Sequence, residues 1–281
     1  MNPTTPSLAI TGATGQLGGR VARRLAAMGV PQRLVVRDPA RAPALDGTEI
    51  AQATYADAEA MRRAFDGVRT VFMVSGAEAP DRVAQHVTCV DAATAAGVRH
   101  LVYTSFFGAA PDATFTLARD HWATEEHIRS SGMAYTMLRD NIYLDFLPLL
   151  ADDTGLIRGP AGDGRVAAVA QDDIADVATE VLRDPGRHEG ATYHLTGPAA
   201  LSLTEVAATL TEATGRRTRY EPETVAQAYA SRARYGAPDW QVDAWVSTYT
   251  AIAAGELAGV TEDVARVAGH PPTSLAELLR R

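Results

Sequence analysis

Apolar positions in the first half of the chain fall into short continuous runs separated by amphipathic stretches. The runs at Leu8–Thr11, Arg33–Arg37, Thr70–Ser75, His100–Ser105 and Ala134–Arg139, with a weaker one at Glu49–Gln52, read as strands. Between them, helical spacing marks Gly15–Met28, Asp57–Phe65, Ala79–Ala96 and Phe115–Ser131. Short, nearly unbroken hydrophobic strands need a sheet covered on both faces, and the intervening helices supply the cover. The expected fold is therefore α/β, a doubly wound parallel sheet with ligands outside the C-terminal ends of its strands. The second half is less regular. It predicts strands at Gly155–Arg158 and Val166–Ala170 around a glycine-rich loop, Gly159–Gly164, that suits a mobile lid. A helix at Asp172–Arg183, with Asp172 or Asp173 as N-cap, and a strand at Ala191–Thr196 follow. Beyond them lie a helix at Ser202–Thr214 opened by the capping box Ser202-x-x-Glu205, and a strand at Arg217–Tyr220. Helices near Thr224–Tyr235 and Asp239–Gly255 carry Tyr229, Tyr235, Trp240, Trp245 and Tyr249, which either wall a pocket or pack the lobe.

The turn that leaves the first strand carries the chemistry. Leu8–Thr11 runs into Gly12-x-x-Gly15-x-x-Gly18, and these glycines open a helix bearing Leu17, Val21 and Leu25. Gly12 permits a tight turn, Gly15 lets the main chain approach a diphosphate, and Gly18 lets the helix pack closely on the sheet. The unpaired N–H groups and positive end of that helix then face the anion. Glycines alone would mark only a tight turn; in a strand–turn–helix context they point to a dinucleotide. The expected organisation is a dinucleotide-binding domain over 1–150, also receiving strands and a helix from about 165–197, and a smaller appended lobe over 151–281.

Composition narrows the partners. A net charge of −8 argues against a dedicated nucleic-acid binder, which shows a basic face. All 26 basic residues are arginine, and the chain has no lysine. The single cysteine, Cys89, lies in an apolar-periodic segment and reads as a small buried residue rather than a nucleophile. One cysteine excludes an intrachain disulfide and fits a reducing compartment. Met1–Ser7 lacks a basic stretch followed by a long apolar run, and no segment reaches membrane-span length, so the expectation is a cytoplasmic protein without a membrane partner.

The second strand selects the dinucleotide. An acidic residue at its end takes a ribose 2′-hydroxyl, whereas arginine there accommodates a 2′-phosphate. Here the sequence is Val35-Val36-Arg37-Asp38-Pro39-Ala40-Arg41. Arg37 holds the deciding position and Arg41 is close enough to help, which favours NADPH over NADH. Asp38 runs against this, because a carboxylate beside a 2′-phosphate repels it.

Several blocks in one order resemble a known family: ITGATGQLGGRV (10–21), VVRDPARA (35–42), AAGVRHLVYTS (95–105), LARDHWATEEHI (117–128), AYTMLRDNIYLDF (134–146), AGDGR (161–165) and GHPPTSLAE (269–277). The chain resembles the atypical short-chain dehydrogenases/reductases of the NmrA-like family over nearly its whole length, and within it the NADPH-dependent quinone oxidoreductases of type 2 and the triphenylmethane reductases. The resemblance implies a Rossmann domain with a small C-terminal α+β substrate lobe, binding NADPH and reducing a conjugated acceptor. It implicates Thr14, Gln16 and Leu17 in the phosphate loop, Arg37 at the 2′-phosphate and Tyr55 near the adenine. It places Ser75, Gly76, Tyr103, Thr104 and Ser105 at the nicotinamide end.

The departures bear on mechanism. The wider reductase superfamily uses Tyr-x-x-x-Lys, and a chain without lysine cannot form that pair. Tyr135-x-x-x-Arg139 copies the spacing but falls in a predicted strand, where the two groups would not share a helix face. Glu126 aligns with a lysine of the quinone reductases, and the family's Leu-Arg-Asn is Leu138-Arg139-Asp140 here, leaving Asn141 to present an amide toward the nicotinamide. Reducing a simple carbonyl develops alkoxide charge, for which a positioned acid is worth roughly 10²–10⁴-fold in rate. Quinones and cationic dyes accept hydride into a delocalised system, so holding the acceptor in place is most of the task.

The candidate proton donors are His121, with Glu125 at i+4 to orient it or raise its pKa, and Tyr103. His127 lies close by, but no His-Glu-x-x-His order is present and no metal site is expected. The leading expectation is an NADPH-dependent reductase of a small quinone-like or other aromatic acceptor, monomeric or a weak homodimer. The alternatives are a non-catalytic NADP-binding redox sensor that regulates a partner, and a tailoring reductase or isomerase of an aromatic natural product.

Overall fold

In the computed structural model, which describes residues 6–281, the alternation becomes a run of strands and helices; Met1–Thr5, part of the segment read for a leader, lie outside it. The run is β1 (Leu8–Thr11), α1 (Gln16–Ala27), β2 (Gln32–Val36), β3 (Thr48–Gln52), α2 (Ala58–Ala64), β4 (Thr70–Met73), α3 (Arg82–Ala95), β5 (His100–Phe106), α4 (Thr116–Ser130) and β6 (Ala134–Asp140). Next come β7 (Leu156–Gly159), β8 (Arg165–Val166), α5 (Gln171–Arg183) and β9 (Thr192–Leu195). The chain continues through β10 (Leu201–Ser202), α6 (Leu203–Thr214), β11 (Arg219–Pro222), α7 (Val225–Arg232), α8 (Asp239–Ala253), α9 (Asp263–Ala268) and α10 (Leu275–Leu278).

Seven strands form the main sheet in the order β3-β2-β1-β4-β5-β6-β9. Neighbours from β3 to β5 pair in parallel. The order reverses between β1 and β4, so the topological switch point, where doubly wound sheets take ligands, lies outside the ends of these two strands. Ile10, Leu34, Phe72, Leu101 and Val102 are wholly buried, as strands covered on both faces require. Met61, Phe65, Val90, Ile128 and Met137 pack with Cys89 in one core, so the cysteine fills space as expected.

The chain assembles into two compact units from alternating segments. One holds the stretch up to Ser105 with His121–Arg139 and Ile174–Tyr193; the other holds Phe106–Asp120, Asp140–Asp173 and His194–Arg281. The second has its own core of Phe115, Leu144, Leu147, Ile157, Val206 and Ile252. Its small sheets pair β7 with β11 in parallel and β8 with β10 antiparallel.

Three expectations for this part of the chain change. The strand expected over Val166–Ala170 is only Arg165–Val166, because the following main chain changes partners from residue to residue: Ala167 N–H donates to the Leu257 carbonyl and Val169 N–H to that of Ile142, both at 2.9 Å. The helix expected to be capped by Asp172 or Asp173 begins at Gln171, whose N–H is taken by Asp145 Oδ2 at 2.9 Å, leaving both aspartates in the first turn. The Gly159–Gly164 loop, expected to suit a mobile lid, is tied to its neighbours at several points in this structure. Tyr220 donates to the Gly159 carbonyl at 2.7 Å and accepts from Ala161 N–H at 3.1 Å. Side chains on Gly159 and Gly164 would collide with the Tyr249 ring and the Ile252 carbonyl of α8. The capping box at Ser202 is present as expected.

Candidate functional site

β1 delivers the chain to Gly12, which adopts φ of +65°, a left-handed conformation that favours glycine. Gly15 N–H returns to the Gly12 carbonyl at 2.9 Å and caps α1 without a side-chain acceptor. No acidic residue occupies the first turn of the helix, so its N–H groups are left for an anion. A Cβ on Gly18 would lie 2.5 Å from the Gly12 carbonyl oxygen, so only glycine lets α1 approach this turn. Gly19 is nearly as constrained, at 3.0 Å from the Ala13 carbonyl, and the three-glycine motif did not reveal it. Gly12, Gly15 and Gln16 are exposed, Thr14 is half-buried, and Leu17 and Gly18 are buried beneath them. This cradle fits a diphosphate held by main-chain donors.

At the end of β2, Arg37 is exposed and forms no ion pair among the described residues. Gln52 Nε2 donates to its carbonyl at 3.1 Å, fixing the main chain beneath the free guanidinium. Asp38 turns back as an N-cap, its Oδ1 accepting from Ala40 N–H at 3.0 Å. The carboxylate that opposed a 2′-phosphate is thus engaged in its own turn.

The other lip of the switch point is the loop after β4. Tyr55 does not offer its hydroxyl outward: it lies 2.5 Å from Thr11 Oγ1 and donates to the Val74 carbonyl at 2.6 Å. Burial raises its pKa further, so it stays a phenol. Thr104 is buried and accepts from Ser75 N–H at 2.8 Å, and Gly76 is the next residue of the loop.

Tyr103 and Ser105 share a face of β5, two residues apart. They meet a pair four residues apart on α4. Tyr103 Oη lies 3.0 Å from His121 Nδ1, and Ser105 Oγ donates to Glu125 Oε1 at 2.5 Å. Glu125 therefore does not orient His121. Arg82 Nη2 contacts His121 Nε2 at 2.9 Å, and since arginine only donates, Nε2 accepts and the ring proton sits on Nδ1. Burial, then the Arg82 charge, holds the imidazole pKa well below 6.5, opposite to the rise expected from Glu125. His121 is neutral, with its one N–H toward the wholly buried Tyr103, and neither is placed as an exposed acid.

Glu125 instead anchors two arginines. Arg139 binds it in a fork at 2.8 and 2.7 Å, and Arg129 adds a bond at 2.8 Å. Burial pushes this carboxyl up, but the hydrogen bonds from Arg139 and Ser105 outweigh it and hold the pKa below 4.5. Arg139 is thereby committed, and Tyr135-x-x-x-Arg139 makes no proton-transfer pair. Glu126 is exposed and pairs with Arg129 at 2.6 Å; His127 pairs with Asp91 at 2.7 Å.

In the second unit, Asn141 is buried and does not present its amide as expected. Nδ2 donates to the Leu257 carbonyl at 3.0 Å and Oδ1 accepts from Ile142 N–H at 2.8 Å. Asp140 is buried too: Oδ2 accepts from Tyr143 Oη at 3.3 Å and Oδ1 has no hydrogen-bond partner among the described residues. Burial raises its pKa well above 3.8. The stability that goes with the protonated form is complete below 3.8 and is lost as pH climbs through the raised value. Asp140→Asn removes this titration. The variant is expected to gain about 1–3 kcal/mol over wild type between acid and neutral pH, checked by urea unfolding across that range. Parallel pH profiles would refute it.

The NmrA-like family model matches residues 4–233. The chain belongs to the NmrA-like family. Quinone oxidoreductase 2 of Escherichia coli is 36% identical over 277 residues, which is 96% of both chains. The crystal structure of an NADPH-dependent quinone oxidoreductase from Escherichia coli, complexed with NADPH, aligns at 35% identity with a TM-score of 0.88, covering 97% of this chain and 98% of that one. Triphenylmethane reductase of Citrobacter sp., complexed with NADP(H), aligns at 32% identity with a TM-score of 0.87, covering 98% and 99%. In this NmrA-like chain the sequence reading passed over Arg82 and His86, which bond the carbonyl and N–H of Gly76 at 2.9 and 2.8 Å. Their signal was available: with Cys89, Val90 and Ala93 they occupy the buried stripe of α3, where a charge and an imidazole interrupt an apolar pattern.

Proposed function

We propose that the chain is an NADPH-dependent oxidoreductase that transfers a hydride to quinone-like or other conjugated aromatic acceptors. The observation that carries this is the exposed Arg37, without an ion pair among the described residues, at the end of β2 beside the glycine turn of α1, which has no side-chain cap. When bound, the nicotinamide supplies the hydride. The protein's own groups bind and orient. Main-chain donors of the turn and of the start of α1, including those of Thr14, Gln16 and Leu17, receive the diphosphate, and Arg37 receives the 2′-phosphate. Ser75 and Gly76 border the nicotinamide end over Thr104.

The acceptor class follows from what is withheld. Lysine is absent, His121 is neutral and sealed against Arg82 and Tyr103, and Asn141 is engaged internally. Acceptors that delocalise the incoming charge need no acid at the reacting carbon, and orientation suffices. The acidic net charge and single buried cysteine support action in the cytoplasm on a small molecule.

Arg37→Ala is expected to weaken NADPH by about tenfold to a hundredfold while leaving NADH nearly unchanged, measured by calorimetric titration. Equal losses for both nucleotides would remove Arg37 from the 2′-phosphate. The function itself is tested by following NADPH oxidation with a panel of quinones, triarylmethane dyes and simple ketones. Turnover with the first two classes and little with ketones is expected; no turnover with any acceptor sinks the reading.

A further inference from the structure

The first three residues of the loop after β4 are held by side chains. Val74 N–H donates to Thr11 Oγ1 at 2.9 Å and its carbonyl accepts from Tyr55 Oη at 2.6 Å. Ser75 N–H donates to Thr104 Oγ1 at 2.8 Å. Gly76 is gripped on both of its polar groups by α3: its N–H donates to His86 Nε2 at 2.8 Å, and its carbonyl accepts from Arg82 Nε at 2.9 Å. Ser75 Oγ is left without a hydrogen-bond partner among the described residues. An irregular loop ordinarily exchanges its main-chain bonds with water and moves. This one is ordered in advance, beside the switch point between β1 and β4.

We propose that Arg82 and His86 are positioning residues for the dinucleotide, clamping Gly76 so that Ser75 is presented to the nicotinamide end in its bound geometry. The proposal rests on the dinucleotide reading above. His86 is well suited to the task. Accepting from Gly76 requires a lone pair on Nε2, so its proton is on Nδ1, where it faces Thr124 Oγ1 at 2.9 Å. Burial, then the neighbouring Arg82 charge, pushes the imidazole down to about 3, so the acceptor persists at neutral pH. Arg82 in turn is steadied by His121, and His121 by Tyr103 on β5. These two residues, singled out in the sequence as proton donors, thereby support the clamp. A loop fixed before binding lowers the ordering cost of association, so the clamp acts on nucleotide affinity.

The test compares wild type, His86→Leu and His86→Gln, each shown to be folded by circular dichroism. NADPH dissociation constants are measured by calorimetry, and turnover of a quinone is measured at saturating NADPH. Glutamine offers its Oε1 where histidine offers Nε2, whereas leucine offers nothing. His86→Leu is expected to bind NADPH about tenfold more weakly, with kcat changed less than about threefold, and His86→Gln to stay within about threefold of wild type in both. Unchanged affinity in His86→Leu overturns the clamp, as does an equal loss in both variants, which is what a merely structural histidine would give. If His86→Leu does not fold, Thr124→Val releases the Nδ1 proton instead: an affinity loss of about threefold supports the clamp and none overturns it. Failure of wild type to bind NADPH overturns the dinucleotide reading, and the clamp with it.

Discussion

Gly18→Ala is expected to abolish NADPH binding and to lower folding stability by roughly 2–3 kcal/mol. The added methyl would stand 2.5 Å from the Gly12 carbonyl oxygen, 2.7 Å from its carbon and 2.9 Å from the Thr11 carbonyl oxygen. All three are main-chain atoms, and no flexible side chain can yield. α1 must move off the sheet, which loosens Leu17, Val21 and Leu25 and displaces the donors that receive the diphosphate. Gly15→Ala provides the contrast. Its Cβ meets only the Gly12 carbonyl, at 3.2 Å, so a shift of a few tenths of an ångström relieves it. Urea unfolding and NADPH titration of the two variants check this; wild-type stability and affinity in Gly18→Ala would refute it.

The second large effect is expected far from the phosphate loop. Glu125→Gln should cost roughly 3–5 kcal/mol, because it leaves the Arg139 guanidinium, only 14% exposed, without its counter-charge. The carboxylate is fully buried and also carries Ser105 and Arg129. Its folded pKa lies below the ordinary 4.5, so its contribution is complete above that value and is lost as pH falls through the folded one. The gap between wild type and Glu125→Gln should accordingly be wide at neutral pH and close in acid. Urea unfolding at several pH values measures it, and equal stability at neutral pH would refute it.

The first half of the fold was legible because buried parallel strands and their covering helices impose patterns with different periods. Glu49–Gln52 was read as a weak strand because β3 lies at the sheet edge, half-exposed. Leu144–Leu150 escaped because it forms a 3-10 helix: its period of three sends Leu144 and Leu147 inward and Phe146 and Leu149 outward, which neither standard period detects. At the turn after β1, the left-handed conformation of Gly12 and the close packing of Gly18 were visible in sequence. The roles of His121, Glu125 and Asn141 were not, because hydrogen-bond partners are chosen in three dimensions. Glu125 stands one helical turn from His121, yet Ser105 and two arginines engage it first. Asn141 stands next to a motif position, yet Leu257, more than a hundred residues on, takes its amide.

The alternation of segments between the two units has a consequence for biosynthesis. β9 completes the main sheet beside β6, but its residues begin only at Thr192, after α5. A nascent polypeptide that has emerged only through Asp140 carries six of the seven strands with β6 as a bare border, a ready template for intermolecular pairing. Such long-range closure slows productive folding and makes chaperone protection most valuable while residues 141–195 are being translated.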